Sequence, residues 1–264
     1  MTDLTPAPIR YPLATNSWGE EEPAALREVL DSQQYTLGAR VARFETEFAA
    51  QMGSRYAVMV NSGSSANLLM VAAACLRRER PLQPGDEVLV PAVSWATSYY
   101  PFAQYQLRLR FVDIDPQTLN YDLRQLAGAV TDKTRALLAV NLLGNPNDFE
   151  ALTSFARDRG LLLLEDNCES LGARFAGRYA GTFGEMGTFS TFFSHHLSTM
   201  EGGLIVTDDR ELYELLLSLR SHGWTRPLPK DNLVSGTKSE EPFEELFRFV
   251  VPGYNVRPLE MEAA

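Results

Sequence analysis

The sequence predicts an α/β fold built on a mostly parallel sheet, and three observations predict it. Short apolar runs suited to buried strands alternate with segments of helical periodicity. Polar motifs follow several of those runs directly, at the position where a parallel sheet gathers its ligands. With 264 residues, 45% of them hydrophobic, the chain can bury one large core, and nothing in its composition is fibrous, disordered or membrane-like.

Taken in order, residues 1–16 read as an N-terminal arm, because Met1–Pro8 carries two prolines and little pattern; residues 17–264 read as one large domain. Between Glu20 and Leu30 an acidic first turn with Pro23 precedes Leu26, Val29 and Leu30 at helical spacing. After Gly38, Val41, Phe44 and Phe48 repeat that signal. Strands are predicted at Tyr56–Val60, Glu87–Val90, Arg108–Val112, Ala136–Val140 and Leu161–Leu164, then around Gly187–Phe193 and at Gly203–Val206. Helical patterns at Ala66–Cys75, Leu123–Val130 and Phe149–Arg157 separate the earlier strands, and Glu211–Leu219 follows the last. Strands joined by crossover helices pair in parallel. Pro227–Glu241 mixes Pro, Lys, Asp, Ser and Gly without period and reads as a loop.

Composition narrows the function. The formal charge is -10, and the only tight basic cluster is Arg77, Arg78 and Arg80, which argues against nucleic acid as a partner. The two cysteines, Cys75 and Cys168, suggest neither a disulfide framework nor a CxxC metal site and fit a reducing cytoplasm. No run approaches the roughly 18 apolar residues of a membrane span, and Met1–Arg10 lacks the pattern of an export signal.

Four motifs can carry chemistry. Asn61–Asn67 lies between a strand and a helix; Gly63 permits close backbone approach, and the hydroxyls and helix N-terminus favour a phosphate. An N-cap with a tight turn accounts for this motif equally well when it is taken alone. It is neither a nucleotide P-loop nor a dinucleotide fingerprint. Pro91–Thr97 places Trp95 just past a strand, where it can stack on a flat ligand, although core packing explains most tryptophans. Leu161–Glu169 delivers Asp166 at the end of an apolar strand, where an ionised carboxylate needs a cationic partner; the plainer role is a cap on the next turn, with Glu165 and Glu169 solvated. Two of the chain's three histidines, His195 and His196, stand together in Gly187–Gly203. Neighbours on an extended backbone point apart, so the pair is poorly arranged for one metal; an acid/base role fits an imidazole whose ordinary pKa is about 6.5.

In this order, the blocks resemble the DegT/DnrJ/EryC1/StrS family of sugar aminotransferases. The phosphate turn corresponds to Gly63 and Ser64, the ring-stacking aromatic to Trp95, the strand-end aspartate to Asp166, and the late Gly-x-Asn-x-Arg motif to Gly253–Arg257. The resemblance runs from about Tyr11 to the last residue. It implies a three-layer α/β/α fold, the large domain of the fold-type I enzymes that use pyridoxal 5'-phosphate, with the family's smaller C-terminal domain absent from these 264 residues. It also implies that Gly63, Ser64 and Ser190 bind the cofactor phosphate, Trp95 covers one ring face and Asp166 keeps the ring nitrogen protonated. Glu169 stands where many members carry Gln near the ring hydroxyl. Asn255 would reach the phosphate of a neighbouring subunit, which implies a homodimer with shared sites and no metal.

One departure changes the expected reaction. His195 occupies the family's lysine position, and none of Lys133, Lys230 and Lys238 falls in a motif. An imidazole has no primary amine and cannot tether the cofactor covalently. Members with this His-His pair resemble 3-dehydratases. The expectation is therefore removal of the C3 hydroxyl from a nucleotide-linked 4-keto-6-deoxy sugar, GDP-4-keto-6-deoxy-D-mannose by the resemblance, with pyridoxamine 5'-phosphate regenerated from L-glutamate, ammonia released and His195 as the acid/base. An ordinary aminotransferase, or an inactive chain that only dimerises, are the alternatives. An iron–sulfur-dependent dehydrase is disfavoured, because no cysteine lies beyond Cys168.

Overall fold

The computed structural model describes residues 14–264, so all but the last three residues of the expected arm lie outside the described residues. One sheet organises the rest: β1 (Tyr56–Val60), β2 (Glu87–Pro91), β3 (Arg108–Val112), β4 (Thr134–Val140), β5 (Leu162–Asp166), β6 (Met186–Ser190) and β7 (Gly203–Thr207). Their spatial order is β1-β7-β6-β5-β4-β2-β3. Strands β3, β2, β4, β5 and β6 pair in parallel, whereas β7 runs antiparallel to both its neighbours, β1 and β6. Consequently β1 shares the direction of the parallel set, and six strands end at the same edge of the sheet.

Both faces of the sheet are covered, which explains why its strands are apolar throughout rather than alternating. Ala136 and Leu138 of β4 join Val58, Val88, Leu164 and Ile205 in a core against α3 (Gly63–Leu76) and α7 (Arg210–Leu219). The alternate residues Leu137 and Ala139 face α5 (Leu123–Ala129) and α6 (Phe149–Asp158) through Leu126, Phe149 and Leu152. At the β7 end, Ala57, Met59, Phe189 and Leu204 meet Val41 and Phe48 of α2 (Ala39–Met52). These are the three expected layers. Side-chain caps start the helices that follow strands: Ser62 Oγ accepts from Ser65 N at 3.1 Å, Asp148 from Ala151 N at 3.0 Å, and Asp209 from Glu211 N at 2.7 Å.

Several local expectations need correcting. The strand expected around Gly187–Phe193 stops at Ser190, because β5 offers no partner beyond Thr188 and the chain turns back on itself, Thr191 N donating to Gly202 O and Phe193 N to Met200 O. His195 and His196 accordingly lie in bends rather than on extended backbone. Helix α4 (Ala96–Gln104) was hidden by Pro101, which sits inside it. The expected loop Pro227–Glu241 contains a two-stranded ribbon, Asp231–Asn232 with Gly236–Thr237.

Helix α2 has no side-chain cap of its own at Gly38, and its first turn is closed from the other end of the sequence. The buried Glu260 carboxylate accepts from Gly38 N at 2.7 Å, Arg40 N at 2.9 Å and Val41 N at 3.0 Å. A carboxylate is the preferred partner for such unpaired amides at the positive end of a helix. Replacing Glu260 with Leu removes all three bonds and is expected to cost roughly 1.5–3 kcal/mol. Urea denaturation should report it as a lower midpoint with an unchanged slope.

Candidate active site

The shared edge of the sheet opens into a cleft of about 490 Å³. Val60, Pro91, Val140, Asp166 and Ser190 end their strands there, and the segments that follow supply the lining. Of the residues expected from the sequence, Gly63, Ser64, Trp95, Asp166, Glu169, Ser190 and His195 all line this cleft. Asn255 does not; it is exposed, it bridges to Ser221, and its Oδ1 accepts from Arg257 Nε at 3.0 Å.

The turn at Gly63 and Ser64 is built by close approach. Helix α3 starts at Gly63, earlier than the expected Ala66, so Gly63 and Ser64 present their amides in its first turn, where helices lack internal acceptors. A Cβ on Gly63 would stand 2.6 Å from Ser190 Cβ and 2.8 Å from Cys168 Sγ. Only glycine lets β1, β5 and β6 converge here. Ser64 Oγ donates to Thr97 Oγ1 at 3.0 Å and ties this turn to the start of α4.

Trp95 immediately precedes α4 and is 70% exposed, which sets aside the core-packing explanation for it. Asp166 is 4% exposed and makes none of the ion pairs found among the described residues. Its Oδ2 accepts from Asn67 Nδ2 at 2.8 Å and Ser98 Oγ at 2.7 Å, and its Oδ1 from Cys168 N at 3.1 Å. The last of these bonds closes the local turn that the plainer reading of Asp166 described. Asn67 and Ser98 were missed in the sequence, since nothing in their spacing says that α3 and α4 meet at the end of β5.

The neighbouring acids differ. Glu165 is fully buried rather than solvated, because the alternation along β5 turns it away from the cleft, where it accepts from Gly181 N and Gly184 N, both at 2.6 Å. Burial raises its carboxyl to about 7 despite those bonds. Glu169 is half-buried in the cleft wall and accepts from Leu143 N at 2.8 Å. Burial, together with the Asp166 charge, pushes the Cys168 thiol up and keeps it from being a thiolate nucleophile.

His195 sits at the cleft, half-buried, in a loop whose neck is pinned by the Thr191 and Thr199 hydroxyls at 2.6 Å. Its ring lies edge-on to Phe192 with centroids 6.3 Å apart. His196 is exposed and outside the lining. Burial lowers the His195 pKa below the ordinary 6.5, the charges of Glu169 and Asp166 partly opposing it and His196 adding to it. At neutral pH the imidazole is thus mostly an uncharged base. Lys133, Lys230 and Lys238 are all absent from the lining.

Three layers around a mostly parallel sheet, with a cleft at the shared strand edge lined by an exposed aromatic and a buried aspartate, are the architecture of the fold-type I aminotransferases. Residues 16–264 match the DegT/DnrJ/EryC1/StrS aminotransferase family, and the chain belongs to it. It is 57% identical over 256 residues to the GDP-4-keto-6-deoxy-D-mannose 3-dehydratase of Yersinia pseudotuberculosis, an overlap covering 97% of this chain and 65% of that protein. The solved structure of the E. coli GDP-4-keto-6-deoxy-D-mannose 3-dehydratase with bound hydrated PLP is similar, with a TM-score of 0.94 at 59% identity, over 97% of this chain and 66% of that one. A GDP-4-keto-6-deoxymannose-3-dehydratase structure with a trapped PLP-glutamate geminal diamine gives 0.94 at 58%, over 96% and 66%. The chain therefore spans just under two thirds of the length of these relatives.

The electrostatics of the cleft make a direct prediction. Histidine NMR titration should place His195 below 6.5, and Glu169→Gln, which removes a charge that favours the imidazolium, should lower it further. An unchanged value would show that Glu169 does not act on the ring.

Proposed function

We propose that this chain is the cofactor-binding part of a dehydratase that removes the C3 hydroxyl of a nucleotide-linked 4-keto-6-deoxy sugar, GDP-4-keto-6-deoxy-D-mannose. The observation that carries the proposal is His195 in a cleft with Asp166 and without a lysine. The names of the similar proteins support the sugar, and their bound PLP and glutamate support pyridoxal phosphate as cofactor and L-glutamate as amino donor.

The residues present fit that cofactor. Asp166 is a buried carboxylate facing a cleft and accepting only from uncharged donors, and a protonated pyridine nitrogen supplies the missing cation. Gly63, Ser64 and Ser190 would take the phosphate at the start of α3, and Trp95 would cover a ring face. Glu169 stands beside that position, already bonded to Leu143 N. When bound in its pyridoxamine form, the cofactor supplies an amine for the sugar's C4 ketone and a ring that withdraws electrons.

The chain's own part is proton movement. A half-buried, neutral His195 can take a proton from the carbon bearing that amine and return it to the C3 hydroxyl as water departs. With no lysine at hand, the cofactor is held by noncovalent contacts alone, and hydrolysis then yields ammonia and the 3-deoxy-4-keto sugar. Asn255, exposed and outside its own cleft, would complete the phosphate site of a second copy, which makes the working unit a homodimer.

Mass spectrometry of products from GDP-4-keto-6-deoxymannose, pyridoxal phosphate and L-glutamate should detect the 3-deoxy-4-keto product together with ammonia. His195→Lys should lower dehydration by about 10²–10⁴-fold, the usual contribution of a positioned acid/base, while leaving some amino transfer. Undiminished dehydration in that variant would overturn the role of His195.

A further inference from the structure

Two short chains of hydrogen bonds reach Asp166, both ending on its Oδ2. In the first, Thr188 Oγ1 on β6 donates to Asn67 Oδ1 at 2.6 Å, and Asn67 Nδ2 on α3 donates to the carboxylate at 2.8 Å. Because the carboxylate can only accept, the Asn67 amide has one workable orientation, and Thr188 holds the other end of it. In the second, Ser94 Oγ donates to Ser98 Oγ at 2.9 Å, which commits the Ser98 proton to Asp166 at 2.7 Å. Asn67, Ser98 and Thr188 are all buried.

The allocation between the two oxygens matters. The Asn67 and Ser98 side chains both go to Oδ2 and use its two lone pairs, whereas Oδ1 accepts from Cys168 N at the longer distance of 3.1 Å. We infer that Asn67 and Ser98 are positioning residues for the ring-nitrogen contact: by occupying Oδ2 they fix the carboxylate plane and leave Oδ1 as the acceptor for a protonated heterocycle. This rests on the cofactor reading proposed above and adds two residues to it. Chains of this kind polarise one another, and a buried site holds them with little freedom.

The test compares two probes on the whole chain at fixed pH. Pyridoxal phosphate and its 1-deaza analogue share the phosphate and ring faces, but the analogue has a C–H where the contact is made. Affinities are measured by fluorescence titration for wild type, Asn67→Leu, Ser98→Ala and Ser98→Thr, with circular dichroism to establish that each is folded. Wild type should prefer pyridoxal phosphate, and the preference should fall about tenfold in Asn67→Leu and Ser98→Ala, the scale of one hydrogen bond to a charged group. Ser98→Thr, which keeps the hydroxyl, should restore it. Should Asn67→Leu fail to fold, the Ser98 pair decides. Equal weakening of both probes, or an intact preference in folded variants, would overturn the positioning role while leaving the cofactor assignment standing. A wild type that binds neither probe would overturn the cofactor assignment and this inference together.

Discussion

The placement of β7 between β1 and β6 is the constraint on which the cleft depends. Gly203, its first residue, pairs with Val60 on one side and Ser190 on the other, so one glycine registers the strand that leads to the Gly63 turn against the strand that leads to the His195 loop. A Cβ there would come 2.3 Å from Ser62 O. Any side chain would thus part the two strand ends. A slip of one residue would be worse, since it would turn Leu204 and Val206 out of the core against α2 and Ile205 out of the core on the opposite face. Gly203 is thereby explained by backbone approach, with no need of a ligand.

The same geometry separates the roles of two adjacent acids. Strand alternation sends Glu165 to one face of β5 and Asp166 to the cleft end. Glu165 meets two backbone amides and holds the Gly181–Gly184 turn, a structural task done by a carboxyl that burial raises to about 7. Asp166 meets uncharged side chains and one amide, and still faces open volume. One acid has its partners within the fold, and the other retains capacity for a cation.

Much of this was legible in the sequence because it rests on local signals. The seven strands are short apolar runs, and their order along the chain forces crossovers, so the common edge and the motifs that follow it were predictable together. What escaped has a physical reason in each case. Pro101 obscured α4, although Trp95 before it was correctly placed past β2. Glu165 looked solvated because the sequence does not say which face of β5 is covered by the Gly181–Gly184 turn. The Glu260 cap on α2 joins residues 222 apart, and Asn67 is 99 residues from Asp166. Such pairings depend on tertiary placement, and no spacing rule carries them.

In the proposed function, His195 standing in place of a tethering lysine gives these nonlocal contacts their weight. A covalently tethered cofactor keeps its place even where individual contacts are loose, because its loss requires a bond to break. With the three lysines outside the cleft, every restraint on a cofactor bound there would come from packing, hydrogen bonds and charge. Preorganisation then matters more, since each group that must be ordered on binding subtracts from affinity. The cleft meets this demand with groups already locked: Gly63 pressed against Ser190 and Cys168, Ser64 tied to Thr97, and Asp166 bonded on both oxygens. His195 is held by the pinned neck of its loop and by Phe192, and burial favours its neutral imidazole. In that proposal the burden of holding passes from a single covalent bond to the whole end of the sheet, and the imidazole at that position would serve the proton.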